Sequence, residues 1–196
     1  MDPQVIVSRV IRLARLDTTV FDEVRDDPAE LVPSLIVAAV SAVLAGLGAL
    51  LWWQVVFDAE PDNLLINTLI LGSIFLFGMH LVSALVVYVV MAQMFRTTAD
   101  VQTLLRTMGY AAAPMALSVL MFLPVIYPVF SLVPLALMLL FSIYAVQSAT
   151  GADSNQVVTA TVIGFTVMVL VLGLIALASD LPDAPMGAGI FGTLLD

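Results

Sequence analysis

LVPSLIVAAVSAVLAGLGALLWWQVVF, residues Leu31–Phe57, holds no charged side chain, and its reading decides the fold. A helix that crosses the hydrocarbon of a bilayer needs about 20 apolar residues, within roughly 17–25. This stretch supplies them, with some to spare for tilt. Outward from it, Arg9, Arg12, Arg15 and Arg25 lie before, and the acidic sequence Asp58-Ala-Glu-Pro-Asp62 follows. The next apolar run, Leu64–Phe95, is followed by Arg96 and Arg106. Those arginines are all the basic residues of the chain, and the segments expected on the opposite face, Asp58–Asp62, Pro124–Pro128 and Ser179–Asp196, hold none. Basic residues are retained on the cytoplasmic side. The pattern therefore predicts an integral membrane protein with a cytoplasmic N-terminus and an external C-terminus.

Composition points the same way. The chain is 62% hydrophobic and 11% charged, where soluble domains carry about 25% charged residues, and its mean hydropathy is +1.12. Its 196 residues leave room for one membrane domain with short appendages. The segment before Leu31 has arginines but no apolar core ending in a small-residue cleavage site, so no cleavable signal peptide is expected. The absence of cysteine removes disulfides, thiolate nucleophiles and cysteine metal ligands. A net charge of −9 argues against a nucleic-acid surface. Fifteen acidic residues with no lysine read as a halophile-like composition, in which salt screens the self-repulsion of an acidic surface.

Four further spans follow. Leu64–Phe95 would reach roughly 48 Å as one helix at 1.5 Å per residue, so it must tilt or project from the hydrocarbon. Thr107–Ala152 is uncharged and about two spans long, and Pro124-Val-Ile-Tyr-Pro128 divides it with a turn. Spans are predicted over Gly109–Leu123 and Val129–Ser148. Gly151–Gln156 is a polar loop, and Val157–Ala178 forms the fifth span before Asp180-Leu-Pro182. The expected architecture is an all-α, polytopic bundle of five transmembrane helices behind a short amphipathic helix. Residues 1–30 form a cytoplasmic amphipathic segment, 31–178 the membrane domain and 179–196 an external Gly-rich tail.

On a helical wheel Ser8, Arg9, Arg12 and Arg15 share one face, and Ile6, Val10, Leu13 and Ala14 the other. A second short helix, Thr19–Arg25, is expected to start at a cap from Asp17 or Thr18 and to end before Pro28. Arg9, Arg12, Arg15 and Arg25 are candidate contacts for anionic headgroups or a partner protein. They serve equally as an anchor against the protein's own bundle. Ala38, Ala42 and Gly46, Ala45 with Ala49, and Ala160 with Gly164 have the small-xxx-small spacing that lets membrane helices approach closely. Intramolecular packing is the default reading, with contacts between copies as the alternative.

Intramembrane chemistry has few candidates. His80 is the only histidine and shares a face with Ser73, Ser83 and Ala84, so the stripe should point into the bundle. An ionisable group inside a membrane is a functional hypothesis. The bland reading is a neutral, structural histidine bonded to Tyr88, Tyr110 or Tyr144, because no charged partner lies deep in any predicted span. One histidine without cysteine cannot complete a metal site, and no pair of buried carboxylates offers acid–base catalysis. No cofactor and no enzymatic activity are expected. Gly187-Ala-Gly189-Ile-Phe-Gly192 matches GxGxxG but lacks the βαβ setting of a dinucleotide site. It reads as a flexible tail whose Ile190, Phe191, Leu194 and Leu195 dip into the interface. Pro114, Pro124, Pro128 and Pro134 mark either a tight hairpin with kinks or a broken-helix binding site.

The linear order of Phe21-Asp-Glu-Val-Arg25-Asp-Asp-Pro28, Arg106-Thr-Met-Gly109-Tyr110-Ala-Ala-Ala-Pro114 and Ile143-Tyr144-Ala-Val-Gln147 resembles the Yip domain family of Ypt/Rab-interacting proteins. The resemblance covers roughly Thr18–Ala178 and is strongest at Gly109-Tyr110 with Pro114. It implies five spans, a cytoplasmic N-terminus and non-enzymatic work in organising membranes through lipids, partner proteins or self-association. The compact form is similar to the prokaryotic branch, implying a plasma-membrane location. Its short N-terminal segment argues against GTPase recruitment. Ser73, His80, Ser83, Tyr110, Pro114 and Tyr144 are the candidate intramembrane polar site, and the alternative function is a small channel or transporter with a path near His80 and the proline-rich third and fourth spans. A wet vestibule at His80 would favour the channel, and a packed interior the scaffold.

Overall fold

A computed structural model describes residues 2–56, 62–98, 100–178 and 188–191. The described residues are mostly helical with no strand among them, and five of the helices are long and apolar enough to cross a membrane. Helix α1 (Pro3–Ala14) starts at Asp2, whose side chain accepts from the Gln4 amide at 2.9 Å, with Pro3 in the first turn where no amide is needed. Helix α2 is Val20–Arg25, and its Val20, Phe21 and Val24 are fully buried. Phe21 meets Phe141 edge-on at 6.2 Å.

Span 1 is α3 (Leu31–Val56). Span 2 runs continuously over Leu65–Met94, with α4 (Ser73–Val89) between two π-helical stretches, Leu65–Gly72 and Val90–Met94. Span 4 is α6 (Tyr127–Thr150) and span 5 is α7 (Ser154–Ala178). The turn expected at Pro124–Pro128 lies between spans 3 and 4, and Pro128 sits in the first turn of α6. Gly151, at φ 59°, caps α6 in the left-handed region that glycine enters without penalty. Most of the acidic turn Asp58–Asp62 and of the tail Ser179–Asp196 lies outside the described residues.

Span 3 corrects the sequence reading. It begins at Val101 rather than Gly109, as α5 (Val101–Ala111), and continues as a 3-10 helix over Ala113–Phe122. Asp100 caps α5 by accepting from the Thr103 amide at 2.8 Å, so Arg106 lies inside the span and is buried. Hydropathy missed these first turns because α5 is amphipathic, with Arg106 and Thr107 buried against protein. Pro114 has no amide to donate and disturbs α-helical bonding just where the helix tightens. At about 2 Å per residue the 3-10 half lets a short span cover the hydrocarbon thickness.

Span 1 is the hub, packed against spans 2 and 3, while span 5 lies against spans 2 and 4. The small residues Ala38, Ala42, Ala45, Gly46, Ala49, Ala160 and Gly164 are all buried within the bundle. In lipid such close approach largely replaces the hydrophobic drive. Two apolar cores result. One gathers Leu13, Phe21, Leu104, Tyr110 and Phe141 at the arginine-bearing end, and the other gathers Trp52, Trp53, Met121, Met138 and Met168 at the opposite end. The short 3-10 turn Ala188–Phe191 closes the second core. Trp53 Nε1 donates to the Gly189 carbonyl at 2.9 Å, and Phe191 is buried against Phe75 at 5.0 Å. This part of the tail packs on protein, whereas the sequence placed Phe191 in the lipid interface. A backbone carbonyl reached by Trp53 offers Phe191 an anchor that hydropathy does not register. Leu194 and Leu195 lie outside the described residues.

Candidate functional site

Helix α1 lies across the outer side of span 3, with Ile6 and Val10 toward span 1 and Leu13 toward span 4. A charged cluster fixes it there. Arg9 turns off the polar face into the protein, and its Nη1 reaches Glu30 Oε1 at 2.6 Å, each side chain being 13% exposed. Tyr110 donates its hydroxyl to Glu30 Oε2 at 2.9 Å, and the Arg9 guanidinium lies 5.9 Å from the Tyr110 ring centre. Arg12 bridges Asp17 at 2.8 Å and Glu23 at 2.7 Å. Arg25 pairs with Asp26 at 2.9 Å and donates to the Ser148 carbonyl at 3.3 Å, tying α2 to the end of span 4. Arg15 stays exposed and makes no ion pair among the described residues. Of the four arginines proposed for lipid or partner contact, three are engaged by the protein's own carboxylates.

Asp17 accepts from the Thr19 hydroxyl and amide and from Arg12, and these bonds lower its carboxyl to about 2. The folded value lies below the ordinary 3.8, so its contribution is fully present above that pH and is lost as pH falls through about 2. The Asp17–Arg12 contact is therefore expected to hold from about pH 7 to about pH 4 and to weaken only below. A spin label at Ala14 followed through an acid titration measures this, and release beginning near pH 6 would contradict it.

The intramembrane residues do not converge on one site. Ser73, His80 and Ser83 share a buried face of α4, yet each meets a different neighbour. Ser73 abuts Gly46 of span 1, where an added Cβ would also meet the Thr68 carbonyl at 3.0 Å. His80 Nε2 lies 3.0 Å from the Met108 carbonyl of span 3, and because a carbonyl only accepts, this nitrogen is the donor. Ser83 faces span 5, where a Cβ on Gly164 would meet its carbonyl at 2.8 Å. Of the sites expected to bond His80, none of the tyrosines takes that role: Tyr110 is bonded to Glu30, and Tyr144 is 46% exposed on the outer surface of α6. The partner was a backbone carbonyl, which composition cannot reveal. Pro114 is buried where α5 gives way to the 3-10 segment. Among the described residues no group of three His, Asp or Glu side chains is placed to hold a metal ion.

Glu30 is the residue that sequence reasoning missed. Its signal was its position, one residue before an uncharged span and adjoining an arginine-bearing amphipathic helix. Gly109 and Tyr110 divide the labour of their motif. A Cβ at Gly109 would meet the Ser34 carbonyl oxygen at 2.7 Å, and the Tyr110 hydroxyl closes on Glu30. Glycine therefore sets the crossing of spans 1 and 3, and tyrosine carries its polar tie.

Five apolar spans, a closely packed interior and an amphipathic helix fastened across one end define a polytopic integral membrane protein. The chain belongs to the Yip1 domain family, which matches residues 17–177. Helix α1 precedes the matched region, yet Arg9 reaches into it at Glu30. No curated protein and no solved structure matches the chain.

Proposed function

We propose that this protein is a non-enzymatic scaffold that organises a prokaryotic plasma membrane by binding lipids or partner proteins, with its N-terminus in the cytoplasm and its C-terminus outside. The observation that carries the reading is the fate of the polar stripe on α4. Ser73, His80 and Ser83 face three separate helix crossings: His80 bonds the Met108 carbonyl, and the two serines are packed against Gly46 and Gly164, the buried Ser73 hydroxyl making no hydrogen bond among the described residues. A permeation path needs those groups to share a wetted cavity, so the packing supports the scaffold over the channel. The arginine asymmetry supports the orientation. Reporter tags at residues 1 and 196 should read cytoplasmic and external. Finding both on one side would remove the orientation.

The functional test is flux. Proteoliposomes holding the full chain are expected to show no proton- or ion-coupled transport above protein-free vesicles. His80→Gln keeps a donor for the Met108 carbonyl and should leave the fold unchanged. His80→Leu removes it at roughly 0.6 kcal/mol, the average for an intramembrane hydrogen bond in the best-measured case. A pH-dependent flux lost in His80→Gln would replace the scaffold with the channel.

A further inference from the structure

An apolar groove of about 400 Å³ runs down the outside of the bundle beneath α1, between spans 1 and 3. That volume falls within the ~300–1,000 Å³ typical of small-molecule sites. Ile36, Val40 and Leu44 form its inner wall, spaced by one helical turn, and extend it about 12 Å along span 1 at 1.5 Å per residue. Its axis therefore follows the span into the hydrocarbon. Val7 and Ile11 of α1 roof the end nearest Glu30 and are 57% and 48% exposed, although they are apolar. At Val7 and Ile11 the groove joins a shallow surface of α1 lined by Gln4, Ser8, Arg12 and Arg15. One opening thus passes from hydrocarbon-like walls to a rim of polar and cationic side chains within the width of one helix.

We propose that this groove is a binding site for a single anionic phospholipid, one acyl chain lying against span 1 and the headgroup phosphate meeting Arg15. The chemistry selects this occupant. A surface at membrane depth is covered by lipid unless protein takes its place, and the groove's axis matches an acyl chain standing in its leaflet. The rim supplies the charge. Arg9 is held by Glu30, and Arg12 by Asp17 and Glu23, so Arg15 is the guanidinium on this helix with no carboxylate on it among the described residues. Gln4 and Ser8 add hydrogen-bonding groups for phosphate or glycerol oxygens. The ion pairs that fasten α1 also give the site a fixed roof, so less ordering is lost on binding. The inference rests on the lipid-binding scaffold reading and names which lipid the scaffold holds.

Native mass spectrometry of the full chain in neutral detergent tests it, with phosphatidylglycerol and phosphatidylcholine of identical acyl chains. One lipid should bind per chain, phosphatidylglycerol about fivefold more tightly, the effect of one arginine at an anionic surface. Arg15→Gln should bring the two lipids level. Val40→Trp fills the groove and should abolish both adducts. Leu132→Trp, equally bulky on an exposed face of α6, should change neither. Ile11→Trp fills the groove from its roof and replaces Val40→Trp if that variant loses helicity. Glycerophosphoglycerol, which carries the headgroup without chains, should not bind, and its binding would make the site a phosphate site rather than a lipid site. Equal affinities in the unmutated chain, or adducts that survive a filled groove in folded protein, would overturn the proposal. The flux test is independent: transport with the adduct intact removes the scaffold alone, and a lipid-free, flux-free bundle removes the lipid site alone.

Discussion

Glu30→Ala is expected to free α1 from the bundle at a cost of about 2–4 kcal/mol, somewhat below the 3–5 kcal/mol for breaking a fully buried ion pair because the cluster lies at an interface. The size follows from what the substitution leaves behind. Arg9 and Glu30 are each only 13% exposed. Without Glu30 the Arg9 guanidinium keeps a single carboxylate at 3.7 Å, on the half-exposed Glu23. The Tyr110 hydroxyl loses its acceptor, and its own burial then opposes the docked arrangement. Glu30→Gln keeps an acceptor and removes only the charge, so it should cost less. Arg9→Ala with Glu30→Ala should cost less than the sum of the two single changes, because neither charge is then stranded. Thermal unfolding in detergent gives the stability, and proteolysis within Met1–Asp17 reports the release of α1. Protection of α1 unchanged in Glu30→Ala would show that Leu13 and Val10 hold the helix without the cluster.

How far the sequence could be read follows from what each feature asks of the chain. Spans 1, 2, 4 and 5 are uniformly apolar along lengths that only a bilayer explains, so their number and order were plain. The proline pair at Pro124 and Pro128 located the hairpin, because a residue without an amide favours a turn. Small residues at Gly46 and Gly164 gave the buried faces, although not the neighbour each one meets. Span 3 began earlier than hydropathy suggested. Its first turns are amphipathic, and a window that averages apolarity cannot distinguish a polar face against protein from one against water. The arginines were legible as a set but not individually. Arg9 and Arg15 share one face of the helical wheel, yet their positions on α1 give one to Glu30 and leave the other unpaired. That difference depends on where α1 lies against spans 1 and 3, which is tertiary information. His80 was correctly placed in the interior, but its carbonyl partner came from backbone that only the packed bundle brings near.

Gly109 carries the second large effect, and it sets two local preferences against each other. Replacing a helical glycine by alanine ordinarily stabilises a helix by roughly 0.5–1 kcal/mol. Gly78 and Gly173 should show that gain, since a Cβ at either meets nothing within 4 Å. At Gly109 a Cβ would meet the carbonyl oxygen of Ser34 at 2.7 Å and its carbonyl carbon at 2.8 Å. Backbone cannot swing aside as a long side chain can, so spans 1 and 3 would have to separate. Overpacking of this kind costs about 1–3 kcal/mol, which outweighs the propensity gain. Separation would also be felt one residue either side, where the Met108 carbonyl meets His80 and the Tyr110 hydroxyl meets Glu30. Gly109→Ala should therefore be destabilising by about 1–2 kcal/mol, and Gly109→Leu should prevent assembly of a monodisperse protein. Thermal unfolding of the alanine variants at Gly78, Gly109 and Gly173 compares the three directly. The sign is the test. If Gly109→Ala stabilises the protein as the other two do, spans 1 and 3 do not cross at backbone contact there, and the glycine of the Gly109-Tyr110 pair has no packing role.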